Sequence, residues 1–530
     1  MSGYILALDQ GTTSSRAIIY DDQARPVQIT QKPITLLTPK SGHVEQDANQ
    51  IWQSQISCAH DAINQAGLLA TDINSIAITN QRETIVVWDK RTGQPLAPAI
   101  VWQDRRTASW CQSLQEQAVP KNKANHDEMQ SYIQSITGLR IDPYFSASKI
   151  VWLLEHNPRF AALIEQGHLA VGTIDSWLIF NLTGGEHVID TTNASRTLLY
   201  DINTLSWSED LLNQFNIPVS ILPKVMASDA DFGKTKKGLF AKQIPIQAVL
   251  GDQQAALFGQ GCWQAGMAKN TYGTGCFMLM NIGNEPQSSQ HHLLTTVAWQ
   301  RKQASLSTDH LSISKLVASS KRMLQPSKRE VTYALEGSVF MAGAIVQWLR
   351  DNLGMFHQSQ DVEALASQVT SSEQVTLVPA FTGLGAPYWR SDITASITGM
   401  TRGTTKAHIA RAALESIAFQ TYDVLIAMQK DSPNPLTELR VDGGASNNNL
   451  LMQFQADLLG VPVLRPKDTE VTAKGVALLA GIKSGLYDDG LISGSWQVER
   501  VFEPEMRVDM KKENLEKWHQ AVKKTLMTDY

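Results

Sequence analysis

Two stretches about 260 residues apart follow one plan, and that repeat limits the possible folds more than any other feature of the chain. "LALDQGTTSSRAIIY" (residues 6–20) and "KNTYGTGCFMLMNI" (269–282) each run an apolar strand into a polar turn carrying x-G-T and resume as a second apolar strand. Two such units predict two similar halves, each presenting a Gly/Thr turn to one shared cleft. The glycine-rich, weakly periodic stretch "FGQGCWQAG" (258–266) is where the halves are expected to join.

The chain has 530 residues, 43% of them hydrophobic and 18% charged, which is ample for about two to four domains with substantial cores. Short β-like runs, "SIAIT" (75–79), "AIVW" (99–102), "IPIQAVL" (244–250) and "LRVD" (439–442), alternate with segments of helical period, the pattern of an α/β architecture. After Thr404-Thr405, residues Ile409, Ala413, Ile417, Val424 and Met428 fall on one helical face. A second helix is expected from Asn448 to Leu459, stopping at Gly460.

A net charge of −5 gives no footprint for nucleic acid or anionic lipid, so a small-molecule substrate is the expectation. Cys58, Cys111, Cys262 and Cys276 form no C-x-x-C pair, which argues against zinc and disulfides and fits a reducing, cytoplasmic setting. The apolar run at the N-terminus is cut by Asp9, and no later stretch approaches the ~20 apolar residues of a membrane span. "PKNKANHDEMQ" (120–130) reads as a polar surface extension, and Trp299 to Glu330, rich in Arg, Lys and Ser, as a solvated basic insertion.

The turn at Gly11 has the small residues and hydroxyls of a phosphate cradle, but the lysine loop G-x-x-x-x-G-K-[ST] is absent. Backbone amides at 11–14, the hydroxyls of Thr12, Thr13 and Ser14, and Arg16 on the returning strand can hold phosphates, with Asp9 placed for a hydrated Mg²⁺. Alone, the turn reads equally well as a plain β-hairpin. The second copy at Gly273-Thr274-Gly275 and a third glycine turn, "VDGGASNN" (441–448), point to one split nucleotide site.

Residues Asn80 to Glu83 of "ITNQRETIVVW" follow a strand's carboxyl end, where ligands bind in open α/β sheets, and Arg82 and Glu83 suit a polyhydroxylated substrate. Trp102 and Phe277 can line the apolar side of that pocket; Tyr132 fits a pocket or a core equally well. In "AVLGDQQAALFGQ" (248–260), Asp252 stands at a helix start, as a simple N-cap or as the carboxylate that takes a hydroxyl proton during phosphoryl transfer. Ser-His-Asp orders and G-x-S-x-G elbows are missing.

Together with "AIVWQDRRT", "IDPYFSASKIVWLLEH", "TNASRTLLYD", "YALEGSVFMAGAIVQWLRD", "VPAFTGLGAPYW" and "EVTAKGVALLAG", these motifs closely resemble the FGGY family of carbohydrate kinases over nearly the whole chain. The resemblance implies two actin/Hsp70-like (ribonuclease H-like) ATPase domains flanking a central cleft. Residues 1–259 would bind acceptor and phosphates, and 260–530 the adenine nucleotide. "NQRET" sets the chain apart from the pentulose and hexulose kinases and implies glycerol as acceptor, with sn-glycerol 3-phosphate as product. The implied acceptor site is Arg82, Glu83, Tyr132, Asp252 and Gln253, with Trp102 and Phe277 on the carbons and Asp252 as base. The implied ATP/ADP site is Thr12, Thr13, Ser14 and Arg16 with Thr274, Gly343, Gln347, Gly444 and Asn448; Asp9 and Asp252 would lie near Mg²⁺. A homo-oligomer, dimer or tetramer, is expected.

The place where some bacterial members bind fructose 1,6-bisphosphate reads "TKKGLFAKQIP" (235–245), without that loop's pattern. About 28 extra residues lie between "LLTTVA" and "YALEG". Two other readings stand beside the leading one: a kinase of the same family acting on another polyol or sugar, and an actin-like or chaperone-like ATPase that phosphorylates no metabolite.

Overall fold

The computed structural model describes residues 3–119, 128–301, 330–390, 392–468 and 470–527. Most of the polar extension (120–127) and the body of the basic insertion (302–329) lie outside the described residues.

The first repeat folds as the antiparallel hairpin β1 (Tyr4–Gln10) and β2 (Ser14–Tyr20). β3 (Pro26–Pro33) adds antiparallel to β2, while β4 (Ile73–Asn80) and β5 (Ile246–Gly251) add in parallel on the other side, giving the order β5-β4-β1-β2-β3. The second repeat is the hairpin β6 (Ala268–Tyr272) and β7 (Cys276–Gly283). Around it lie β8 (Leu294–Arg301), β9 (Glu330–Val339), β10 (Leu439–Asp442), β11 (Val463–Pro466) and β12 (Val498–Phe502), in the order β8-β9-β7-β6-β10-β11-β12. Without its edge strands β8 and β12, this sheet reads β9-β7-β6-β10-β11. That is β3-β2-β1-β4-β5 over again, with each pairing parallel or antiparallel as before.

Parallel pairing fixes where the loops emerge. Gln10 and Gly251 both lie opposite Asn80, so the first Gly turn, the loop after β4 and the residue after β5 leave one edge of the first sheet together. Thr271 lies opposite Asp442, which does the same for the second Gly turn and the loop after β10.

The helices that bear on the site and on the joint between the halves are, in the first half, α1 (Ala48–Gln65), α2 (Met129–Thr137), the one-turn α3 (Thr191–Ala194) and α4 (Asp252–Gly259), and in the second α5 (Gly343–Asp351), α6 (Lys406–Asp431), α7 (Asn449–Leu459) and α8 (Val471–Ser484). Strand period two divides the first sheet's apolar residues between its faces. Leu6, Leu8, Ile76 and Ile78 share a core with Ile51, Cys58 and Ala59 of α1, whereas Ile5, Ala7, Ala77 and Leu250 share one with α4 and α8. In α6, Ala413, Ile417, Val424 and Met428 are buried and Ile409 half-buried, as the spacing predicts. Asn448 caps α7, its Oδ1 accepting from Leu451 N at 2.9 Å, and Gly460 closes that helix at φ +75°.

Helix α8 comes from the second half of the sequence yet packs on α4 and on β1, β4 and β5 of the first. The α4–α8 crossing is backbone on backbone: a Cβ on Gly475 would lie 1.9 Å from Ala255 O, and one on Gly259 2.0 Å from Val471 O. Gly475→Ala is therefore expected to lower unfolding stability by at least about 2 kcal/mol, since neither helix can retreat without opening a packed core. An unchanged denaturation midpoint would refute this.

Two sequence expectations need correcting. The strand "AIVW" is limited to Ala99–Ile100, and Trp102 stands beyond it, its amide donating to Thr84 Oγ1 at 3.2 Å. Trp299 and Arg301 are buried in β8 and Arg301 pairs in register with Glu330, so the flanks of the basic insertion belong to the sheet. No helix among the described residues is long and apolar enough to cross a membrane.

Candidate active site

The loop leaving β4 is turned sharply. Gln81 N donates to Gln10 O at 2.7 Å and Thr84 N to Arg82 O at 2.7 Å, which drives Glu83 to φ +62°, a left-handed value that costs a non-glycine residue on the order of 1 kcal/mol. The strain is offset by a network of buried charge. Arg82 forks onto Glu336 of β9, with Nη1 to Oε2 at 2.7 Å and Nη2 to Oε1 at 2.9 Å. Its Nε lies 3.2 Å from Asp252 Oδ1. Arg196, just after α3, donates from Nε to Glu83 Oε1 at 2.6 Å and from Nη2 to Glu336 Oε1 at 3.0 Å. Arg82, Glu83, Arg196 and Glu336 are each 3% exposed or less, so none of these charges could persist without the others.

Asp252 is the first residue of α4; Gly251 is the N-cap, so the simple capping role falls to the glycine. Its Oδ1 accepts from Gln253 N at 2.7 Å, and the side chain stays 33% exposed. Enclosure raises its pKa above the usual carboxylate value, opposed chiefly by Arg82. Gln253 in turn accepts from the ammonium of Lys269 on β6, which also donates to Thr271 Oγ1 at 2.9 Å. Burial brings the Lys269 ammonium down to about 8.

Trp102 and Phe277 meet edge to face with centroids 6.4 Å apart, and Trp102 Nε1 donates to Thr12 Oγ1 at 2.9 Å. The aromatic wall thus touches the first Gly turn directly. Tyr144 completes the wall, edge on to Trp102 at 5.5 Å, with the Arg196 guanidinium 5.8 Å from its ring. The structure seats Tyr132 elsewhere: on α2, inside the apolar core against which Tyr144 packs, its hydroxyl donating to Asp210 Oδ2 at 3.4 Å. Tyr144, from "IDPYF", takes the place expected for Tyr132.

Within the first Gly turn, Gly11 N donates to Ser14 O at 2.9 Å; Thr13 is exposed and Ser14 buried. Arg16 on β2 pairs in register with Asp9 and forms an ion pair with Glu470, just ahead of α8. Asp9 is 8% exposed, and burial lifts its carboxyl to about 6 against the pull of Arg16. In the second half, the Gly273–Gly275 turn is joined to α5. Ala342 N and Ala344 N donate to Thr274 O at 2.9 and 3.1 Å, and Gly343 N to Gly273 O at 2.9 Å. A Cβ on Gly343 would stand 2.6 Å from Gly273 O, so glycine is required there for close approach. Thr274, Gln347 and Gly444 are exposed, and Asn448 Oδ1 is taken by the α7 cap.

Among the described residues no three His, Cys, Asp or Glu side chains form a metal cage. Asp252 lies close enough to Asp9 to raise its pKa, and together they offer the one or two carboxylates that Mg²⁺ commonly needs beside phosphate oxygens.

No motif in the sequence marks Arg196, Lys269 or Glu336 as part of this network. The available signal was a lone charge inside an apolar β-run: Glu336 in "TYALEGSV" and Lys269 in "MAKNTY".

The family profile for the N-terminal domain of FGGY carbohydrate kinases matches residues 4–259, and that for the C-terminal domain residues 268–484. A glycerol kinase of Acinetobacter baylyi is 57% identical over 98% of both chains, and one of Deinococcus radiodurans is 52% identical over 98% of this chain and 97% of its own. The crystal structure of Plasmodium falciparum glycerol kinase with ADP superposes with a TM-score of 0.87 at 35% identity, covering 99% of each chain. With both profiles matched in order and near-full-length relatives above half identity, the chain belongs to the FGGY family of carbohydrate kinases.

Proposed function

We infer that this kinase transfers the γ-phosphoryl group of ATP to glycerol, giving ADP and sn-glycerol 3-phosphate. The reading is carried by one contact, Trp102 Nε1 to Thr12 Oγ1 at 2.9 Å, which sets the aromatic wall against the first Gly turn. The glycerol kinases similar to the chain over almost its full length support the same acceptor.

In this reading Arg82 and Glu83 take glycerol's hydroxyls, while Trp102, Phe277 and Tyr144 pack on its carbons. Asp252 aligns the attacking hydroxyl and accepts its proton; because the phosphoryl-transfer transition state is loose, orientation matters more than basicity. With Gly11 N taken by Ser14 O, backbone amides of residues 12–14 with the hydroxyls of Thr12, Thr13 and Ser14 receive the phosphate tail, and Arg16 exchanges Glu470 for a phosphate oxygen. The second turn with Gly343, Gln347, Gly444 and Asn448 receives the nucleoside side. Asp9 and Asp252 would hold Mg²⁺, which would supply neutralisation of charge on the transferring group. The halves 1–259 and 260–530 act as the two domains, and closing them keeps water from the γ-phosphate. The reading includes a cytoplasmic homo-oligomer, dimer or tetramer.

Purified protein with ATP and Mg²⁺, assayed with and without glycerol and followed by product identification, tests this. ADP release is expected to require glycerol and to match glycerol 3-phosphate one for one. Glycerol-independent release, or a preference for another polyol, would overturn it.

A further inference from the structure

We propose that Glu336 is a positioning residue for the acceptor site: by occupying Arg82 and Arg196 from the opposite half of the molecule, it keeps Asp252 and Glu83 free to receive hydroxyls. The proposal rests on the reading of that pocket as the acceptor site. A guanidinium carries five N–H donors in a fixed fork, and unless another anion occupies the fork it closes on the nearest carboxylate. Here the nearest carboxylates are the two needed by substrate: Asp252 is 3.2 Å from Arg82 Nε, and Glu83 Oε1 is 2.6 Å from Arg196 Nε. Glu336 takes both Nη atoms of Arg82 at 2.7 and 2.9 Å and Nη2 of Arg196 at 3.0 Å. Each arginine is thereby limited to a single Nε contact with its functional carboxylate. Asp252 stays partly open at 33% exposure although a buried arginine stands beside it.

The carboxylate that does this belongs to the other sheet. Glu336 lies on β9, opposite Leu279 of β7, the strand that leaves the Gly273–Gly275 turn, whereas Arg82 leaves β4 of the first sheet and Arg196 follows α3. The acceptor pocket of one half is thus shaped by the half that carries the second nucleotide turn. Among the described residues, the side-chain hydrogen bonds of Glu336 go to Arg82 and Arg196, so its effect is directed at the acceptor.

The test compares wild type with Glu336→Gln, Glu336→Asp and Arg196→Lys in steady-state assays varying glycerol and ATP separately. Glu336→Gln keeps the shape and removes the charge; its KM for glycerol is expected to rise by about 10- to 100-fold, with KM for ATP within about twofold of wild type. Glu336→Asp restores the charge with a shorter reach and should recover part of the glycerol KM. If Glu336→Gln is not recovered folded, Arg196→Lys decides: it keeps the charge but not the fork, and the same selective glycerol defect is expected. A glycerol KM within about twofold of wild type in the deciding variant, or equal losses for glycerol and ATP, would overturn the proposal by making the network a folding element only. A wild-type enzyme that does not phosphorylate glycerol would instead remove the functional reading, and the proposal with it.

Discussion

Asp252→Asn is expected to lower kcat by about 10²- to 10⁴-fold while leaving ADP affinity within about twofold. The substitution is nearly isosteric: Gly251 remains the N-cap of α4, and an amide oxygen can still accept from Gln253 N, so the local backbone has no reason to move. What is lost is the partly exposed negative charge beside Arg82 Nε. In a loose phosphoryl transfer that charge aligns the hydroxyl and takes its proton late, and an asparagine does neither. The nucleotide contacts attributed to residues 12–16, 274, 343–347 and 444–448 lie on other elements. Single-turnover kinetics with separate ADP titration would check both halves of the statement, and a near-normal kcat would remove Asp252 from its assigned role.

Arg82→Ala should act mainly on glycerol. Its KM is expected to rise by about two orders of magnitude, because hydrogen bonds to a charged donor contribute roughly 1.5–3 kcal/mol and the loss also unbalances the neighbouring carboxylates. Stability should fall as well, by about 3–5 kcal/mol, since Glu336 would keep only one of its two arginines in a fully buried position. Chemical denaturation and separate KM values for glycerol and ATP would resolve the two effects. Arg82→Lys, which retains the charge but cannot fork onto Glu336, should fall between wild type and alanine. Selective loss of ATP affinity would show that Arg82 had been assigned to the wrong substrate.

The parts of the fold legible in the sequence were those set by local rules. The two x-G-T hairpins, the α6 face from Ala413 to Met428, the Asn448 cap and the Gly460 stop each depend on neighbours within a few residues, and each is found where its pattern places it. Long-range pairing was not legible. Nothing near Arg82 indicates that its partner lies at position 336, and nothing near Lys269 points to Gln253. Tyr132 and Tyr144 show why aromatic residues mislead. Both lie in amphipathic surroundings, and only the path of the chain brings the second to Trp102 while the first turns into a core. The displacement of Asp252 from cap to first helical residue is a one-position shift within the ordinary uncertainty of helix ends.

The glycine crossing of α4 and α8 bears on how such enzymes can be recombined. A chimera that joins residues 1–259 to the second half of another carbohydrate kinase brings in a foreign helix to lie against Ala255 and Gly259. Matching the active-site motifs of the two parents would not be enough. The incoming helix must also carry glycine at the position of Gly475, where even a methyl group would fall within 1.9 Å of a carbonyl oxygen. Compatibility between halves is thus decided by a missing side chain at a helix crossing that holds none of the proposed ligand contacts, and alignments scored on binding residues alone would overlook it.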